Sequence, residues 1–541
     1  MRPFSPSVTA TFAEPMLEAA PARNRVRFLA ISILAIMLLL AGRAIQLAFA
    51  GDPVAARAAA AQAQVARADL VDRNGVLLAT TVRAYALTAT PARVWDAAAT
   101  AAALRRLFPD LDAATLQRRL SDRSRQLVYL RRGLTPGQRE AAMTLGLGGI
   151  GFETEDRRVY PHGRLAAHAL GFTDVDLNAL AGAERGLDLA IRAAGAAGRP
   201  LTLSLDVRVQ YALELELDAA ARAARASGGA AILLDGRSGE TLALASWPAF
   251  DPNEAGAAGE AARRDRAAGD LHELGSTMKP FTVAMALEED VSSSAELFDL
   301  SQPFDIDGQA IEDHELIEGY ASLRDILTHS SNVGAARLAL RLGAQRQRSY
   351  LERLGLLAPS PLEVGRNQAP LAPRAQGRRD VAGLGFGYGL AATPAALAGA
   401  YTIFANQGAR VAPTLLHRPA DAQIERQAVF APETTRQVVA YLRAAVIDGT
   451  GRAADVPGLE VAGKTGTAEK LGAQASYDES RNFSSFAGVF PASNPRYVIV
   501  LALDDVGAGE AGGAVAAPAV ARALTRIAPM LGLRVEAPAP R

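Results

Sequence analysis

No cysteine occurs anywhere in this chain of 541 residues. That excludes a disulfide framework, a thiolate nucleophile and any metal held by Cys. Lysine is almost as scarce, with three lysines against 54 arginines. Wherever a permanent positive charge suffices, the chain uses Arg, whose guanidinium stays charged at physiological pH and cannot act as a base. A lysine amine can lose its proton when it is desolvated or set beside another cation. The three lysines are Lys279, Lys464 and Lys470, and the first two close and open short polar motifs. Those are positions where an ammonium, or a neutral amine, is chemically required. Net charge is also lacking: 57 basic residues balance 57 acidic ones, and the arginines are spread along the chain. The electrostatic footprint of a nucleic-acid binder is therefore missing. The six histidines are scattered. Without Cys beside them, His162 and His168 read as structural residues rather than metal ligands.

About half of the residues are apolar, and the length suits two to four domains with large cores. Residues 1–22 are polar or small and read as a tail. Arg23, Arg25 and Arg27 follow, and then an apolar run from Phe28 to Ala50 is broken by charge only at Arg43. A run of about 23 residues matches the roughly 20 needed to span a bilayer. Arginines before it place the N-terminus in the cytoplasm, and Arg43 can snorkel to the far interface. A cleaved signal peptide would have a shorter apolar core and a small-residue cleavage site. The Ala-rich residues after Ala48 leave that alternative open.

Beyond the run, residues 51–200 mix helical Ala/Arg stretches with short strand-like pieces at 69–72, 85–88 and 126–130. Arg73-Asn74-Gly75 is a turn signal. A strand is expected at Leu201–Leu205 and an Ala/Leu-rich helix from Val207. Residues 230–235 and 241–246 form a hairpin about the Gly236–Gly239 turn. Helical stretches dominate to about residue 450. Strands are expected again at 459–462, 485–490 and 497–503, and a last helix at about 512–532. Strands first, helices in the middle and strands last suggest an antiparallel sheet wrapped by helices.

Ser276 and Lys279 are three apart, so on a helix they share a face. Pro280 is tolerated only in a first turn, which starts that helix at about Gly275 and puts Ser276 at its N-terminus. There the dipole favours a developing alkoxide or oxyanion, and a desolvated Lys279 can take the serine proton. The bland reading is a surface Ser and Lys on an ordinary helix. Ser330-Ser331-Asn332 precedes a helical run and is either an N-cap or a second hydroxyl (Ser330) with an amide (Asn332) that holds a substrate carbonyl. Lys464-Thr465-Gly466-Thr467 suits a substrate carboxylate, with Gly466 sparing a side chain so that a substrate backbone can approach; its bland reading is a turn. The Gly383–Gly389 stretch lacks the spacing of a dinucleotide-binding loop and reads as a tight loop flanking the site.

Together and in this order, the three motifs match those of penicillin-binding proteins and class A β-lactamases. The chain resembles a class B penicillin-binding protein, a monofunctional D,D-transpeptidase of peptidoglycan synthesis. The resemblance extends to Arg67 with Asp72–Gly75, Tyr160-Pro161, Ala167-His168, Gly171–Thr173, Trp247–Asn253, Phe386–Gly389 and Gly512–Pro518. It implies an α+β transpeptidase domain, an antiparallel sheet flanked by helices, on an elongated pedestal with one N-terminal transmembrane helix. The implied boundaries are a cytoplasmic tail at 1–27, the anchor at 28–50, the pedestal at 51–200, the transpeptidase domain at 201–532 and a short tail at 533–541.

The implied chemistry is acyl transfer. Ser276, helped by Lys279, attacks the carbonyl between two D-alanines of a stem peptide, and an amine of a neighbouring stem resolves the acyl-enzyme. The backbone N–H groups of Ser276 and Thr467 would form the oxyanion hole, and β-lactams would acylate Ser276. No cofactor or metal is implied. The short pedestal and the stretch from Gly171 to Glu184 look like the cell-division (septal) branch, with the elongation branch as the alternative. The expected partner is a multi-pass glycan polymerase with other division proteins, and the bulk of the chain would be periplasmic. A β-lactamase or β-lactam sensor shares the motifs but has no need of a pedestal. Leu274 stands where the family usually has Pro before Gly-Ser, a change expected to loosen the turn that presents Ser276. Ala395-Ala396 and Ala183 also depart from the pattern.

Overall fold

The computed structural model describes residues 20–49, 67–315, 317–373, 377–471, 477–507 and 512–535. Residues up to Ala66 form one unit and those from Arg67 another. The first unit contains helix α1 (Ala20–Phe49). Side chains are described for its residues 27–43, where Phe28, Ile31, Met37 and Leu39 are all exposed. Among the described residues no helix is long and apolar enough to cross a membrane. The rest of the expected run, from residue 44, and most of the expected N-terminal tail have no described side chains.

The second unit begins with a five-stranded sheet. Its strands are β1 (Leu70–Val71), β2 (Leu77–Ala89), β3 (Val128–Leu134), β4 (Ile150–Val159) and β5 (Leu201–Thr202). The strand expected at 201–205 is only these two residues, which pair in parallel with β1. The chain then leaves the sheet at Asp206, whose side chain caps helix α2 (Val207–Ala223) by accepting from Arg208 N. The Asn-Gly turn docks on that helix start. Asp72 accepts from Asn74 N and Val76 N at 2.8 Å and from Val207 N at 3.1 Å. Asn74 donates to Asp206 at 3.1 Å. Gly75 has φ +86°, the left-handed backbone that such a turn demands of glycine.

The second sheet is antiparallel, with strands β6 (Gly228–Asp235), β7 (Thr241–Trp247), β8 (Ala462–Leu471), β9 (Tyr477–Phe490) and β10 (Tyr497–Gly507) in the spatial order β8-β9-β10-β6-β7. Every residue of β6 is buried. A continuous apolar strand of this kind is covered on both faces. Ala230, Ile232 and Leu234 join one core and Ala231 and Leu233 the other. The second core is closed by α2 and, at the far end of the chain, by helix α8 (Ala516–Ile527).

The first core contains the helices that position the site. These are α3 (Lys279–Glu288), α4 (Leu323–Thr328), α5 (Asn332–Leu342), α6 (Pro394–Ala405) and α7 (Pro432–Ile447). Helix α3 is buried from Lys279 to Ala286, as expected of a helix that is apolar all round. Phe281 stacks among Tyr401 and Phe404 with ring centroids 5.2 and 5.7 Å away. The strand expected at 459–462 lies further along, at Ala462–Leu471. Pairing with β9, from Ala462↔Val489 through Thr467↔Ser484, makes a strand of a polar, glycine-containing segment with low intrinsic preference for one.

Candidate active site

Three segments from distant parts of the chain meet at the edge strand β8. The helix expected from Gly275 starts later. Gly275–Met278 is a 3-10 turn, and the α-helix begins at Lys279 with Pro280 in its first turn. Ser276 therefore stands on a tight turn ahead of the helix. That turn is held from below. Gly275 has φ +51°, its N–H donates to Gly387 O at 3.1 Å, and a Cβ on Gly387 would lie 2.1 Å from Gly275 O. Thr277 Oγ1 donates to Leu274 O at 2.6 Å, and Tyr401 Oη donates to Thr277 O at 2.9 Å. Leu274 is packed into the base of the turn. Its side chain is buried, and its N–H donates to Leu390 O at 3.2 Å, a bond that proline would forgo.

Ser330 lies between α4 and α5 with φ +62°. A serine in this region of backbone space is strained, and such residues cluster at functional sites. The strain turns its carbonyl onto Lys279. Lys279 Nζ donates to Ser330 O and to Asn332 Oδ1 at 2.7 Å, and lies 3.1 Å from Ser330 Oγ. Ser330 Oγ lies 2.9 Å from Ser276 Oγ in a hydroxyl–hydroxyl bond. Ser331, the middle residue, is the N-cap of α5, accepting from Gly334 N at 2.9 Å. The capping reading thus holds for Ser331, while Ser330 and Asn332 face the amine.

Lys279 is wholly buried. Burial, with the charge of Lys464 adding to it, pushes its pKa well below the ordinary lysine value, and Asp313 opposes this in part. A neutral amine has two N–H groups and one lone pair. Ser330 O and Asn332 Oδ1 can only accept, so they take the two N–H groups. The lone pair is left for a hydroxyl hydrogen, and the Ser330–Ser276 chain supplies one. The geometry thus joins the Ser276 hydroxyl to a base through a second hydroxyl.

Lys464, on β8, is also wholly buried, and burial brings it down to about 7. It donates to Thr450 Oγ1 at 3.1 Å and to Thr465 O at 3.2 Å, and Thr465 Oγ1 donates to Thr450 Oγ1 at 2.8 Å. Thr467 Oγ1 accepts from Gly512 N at 3.1 Å. A Cβ on Gly275 would lie 2.7 Å from Thr467 O, so the Ser276 turn packs directly against this part of the edge strand. Gly466 spares a side chain for a different reason from the one expected. A Cβ there would lie 2.4 Å from Ser485 Oγ and 2.8 Å from Thr277 Cγ2, so the glycine makes room for the protein's own packing under the turn. A cleft of about 430 Å³ opens beside Asn332, walled by Ile311, Glu312, Phe386, Tyr388 and Arg379.

Sequence reasoning missed two side chains. Asp313 accepts from Ser331 Oγ at 2.6 Å, from Asn332 N, and from Val333 N at 3.0 Å, and so fixes the second motif. Thr450 carries the Lys464 amine. Neither belongs to a spaced motif. The one signal for Asp313 is physical, namely that a helix start bearing polar residues attracts a carboxylate. His168 is buried against Phe250, its Nε2 2.8 Å from Ala262 O, and burial lowers it to about 4.

Two family models match the chain: the penicillin-binding protein transpeptidase domain over residues 229–525 and the penicillin-binding protein dimerisation domain over residues 62–185. The probable peptidoglycan D,D-transpeptidase FtsI of Caulobacter vibrioides is 42% identical over 484 residues, covering 87% of this chain and 82% of that protein. The peptidoglycan D,D-transpeptidase FtsI of Escherichia coli K12 is 31% identical over 496 residues, covering 84% and 82%. Among solved structures, penicillin-binding protein 3 of Mycobacterium tuberculosis, in complex with aztreonam, superposes with a TM-score of 0.68 at 25% identity, covering 87% of this chain and 98% of that one.

Proposed function

The chain belongs to the class B penicillin-binding proteins, and on that premise we propose that it is a septal peptidoglycan D,D-transpeptidase in which Ser276 is the nucleophile. The observation that carries this reading is the bonded run from Ser276 Oγ through Ser330 Oγ to the buried Lys279 amine. Ser276 Oγ attacks the carbonyl of the penultimate D-alanine of a stem peptide. Its proton passes through Ser330 to Lys279, and the N–H groups of Ser276 and Thr467 stabilise the oxyanion. The C–N bond breaks, the terminal D-alanine leaves with that proton on its amine, and Ser276 keeps an ester. An amine from a second stem attacks the ester, gives its proton back along the same relay, and frees Ser276 with a new amide cross-link. Lys464, with Thr465 and Thr467, meets the donor's terminal carboxylate along β8, and Asn332 holds a stem-peptide amide. β-Lactams acylate Ser276 in place of the stem.

The apolar run at 28–50 anchors the chain in the inner membrane, leaving residues 51–541 in the periplasm, where the pedestal meets a multi-pass glycan polymerase and other division proteins. The test is the intact mass of the purified full chain after incubation with benzylpenicillin, beside Ser276→Ala. A stable adduct of one drug on the wild type alone is expected. Turnover of the drug without an adduct would instead mark a β-lactamase, and an adduct on Ser276→Ala would displace the nucleophile.

A further inference from the structure

The turn that carries Ser276 contains one carbonyl that its own 3-10 ladder cannot serve. In a 3-10 turn each C=O accepts from the N–H three residues on. Lys279 N–H reaches Ser276 O in this way. For Thr277 O the third residue on is Pro280, which has no N–H. Thr277 is wholly buried, so solvent does not reach it, and a buried carbonyl left without a donor is costly. The donor comes from another element. Tyr401 Oη, on α6, donates to Thr277 O at 2.9 Å.

Packing fixes where that hydroxyl points. Tyr401 is wholly buried, and burial pushes its pKa up, so the phenol keeps its proton and stays a donor. Its ring lies edge-on against Phe281 of α3 and Phe404 of α6, with centroids 5.2 and 5.3 Å away. The next residue, Thr402, offers a contrast. Its hydroxyl is also buried, but it donates to Gly399 O at 2.7 Å and accepts from Val411 N at 3.0 Å. It ties α6 to the segment after it and makes no bond to the Ser276 turn.

We propose that Tyr401 is a positioning residue for the reaction, its hydroxyl keeping Thr277 in the 3-10 form that aligns Ser276 with Lys279. The inference rests on Ser276 as the nucleophile. The competing form of this segment is an α-helix extended back by one turn, in which Thr277 O would accept from Phe281 N. The two forms present the motif differently. Residues three apart eclipse one another on a 3-10 turn but stand about 60° apart on an α-helix. Loss of the phenol hydroxyl gives the α form the advantage at Thr277 O, and that form turns the Ser276 side chain out of line with the amine.

The test is acylation of the purified full chain by excess benzylpenicillin, resolved into the limiting first-order constant and the drug concentration that half-saturates it. Tyr401→Phe removes the hydroxyl and keeps the ring. It should lower the limiting constant at least tenfold and leave the half-saturating concentration within twofold, because the residues of β8 that meet the drug are untouched. With drug in excess, a first-order constant does not depend on how much of the protein is folded, so partial unfolding cannot imitate this result. Thr402→Val, which removes the neighbouring hydroxyl, should keep both wild-type values. A wild-type limiting constant in Tyr401→Phe overturns the proposal. An equal loss in Thr402→Val overturns it too, by showing that any buried hydroxyl of α6 acts through packing alone. A wild-type adduct that maps to a residue other than Ser276 overturns the nucleophile reading, and this inference with it.

Discussion

Two places in this molecule bury paired cations, and they are built in opposite ways. Beside the first sheet, Arg67 and Arg158 converge on Glu184, whose side chain is wholly buried. Arg67 Nε donates to Glu184 Oε2 at 3.0 Å and its Nη1 to Asp188, while Arg158 Nε donates to Glu184 Oε1 at 2.7 Å and its Nη1 to Ala68 O at 2.9 Å. Each charge there has its counter-charge. Around Ser276, Lys279 and Lys464 are equally buried, yet among the described residues no carboxylate is bonded to either. Arginine cannot shed its proton, so its burial demands a carboxylate. Lysine can shed its proton, so its burial without one favours the neutral amine, the form that can take a proton from a serine. The difference is that between a joint and a reactor.

Replacing the base should produce the largest change. Lys279→Met is expected to slow acylation of Ser276 by benzylpenicillin about 10²–10⁴-fold, the usual worth of a general base, and to cost about 1–3 kcal/mol of stability by leaving Ser330 O and Asn332 Oδ1 without their donor. A loss of stability with acylation unchanged would make Lys279 a structural residue like Arg67 and Arg158. Glu184→Ala should do the reverse. It leaves two guanidinium groups without their shared partner and is expected to cost about 3–5 kcal/mol of stability, read by chemical denaturation, while the folded fraction is still acylated.

The next effect concerns pH. The Lys464 amine is held at about 7, below the ordinary 10.5. Below that pH the free enzyme presents an ammonium to a carboxylate, and above it a neutral amine. The second-order acylation constant reports free-enzyme ionisations. It should fall as pH rises through about 7, by up to about tenfold per unit. Lys464→Met should be slower at low pH and flat across the same window. Stability runs the other way. The folded state gives up this proton before the unfolded chain does, so the lysine adds a rise in unfolding free energy between about 7 and 10.5, which Lys464→Met should remove.

Much of the reactor was legible in the sequence because its chemistry forces particular residue types into short spacings. Ser276 with Lys279, Ser330 with Asn332, and Lys464 with Thr465 each fall within one short motif, and the structure brings all three motifs together. The order of strands and helices was legible for the same local reasons, notably in the apolar run 230–234 of the fully buried β6. Side chains that serve the motifs from a distance were not. Asp313 reaches Ser331 across 18 residues and Thr450 reaches Lys464 across 14, with no periodicity to announce either. Gly466 was legible as a glycine with a purpose, but its crowding neighbours, Thr277 and Ser485, come from other elements. The strand Ala462–Leu471 was misplaced because ladder pairing, not propensity, makes it.

The shortage of lysine also bears on how the protein meets reagents. Apart from Lys470 and the chain's own α-amino group, its only primary amines are two that have no exposed surface. Amine-selective labels, cross-linkers and acylating metabolites therefore find little to hold on the outside of this protein. Any that do mark Lys279 or Lys464 must have entered the cleft while it was open. The extent of such labelling, mapped by peptide and followed over time, would count openings of the site with no substrate present.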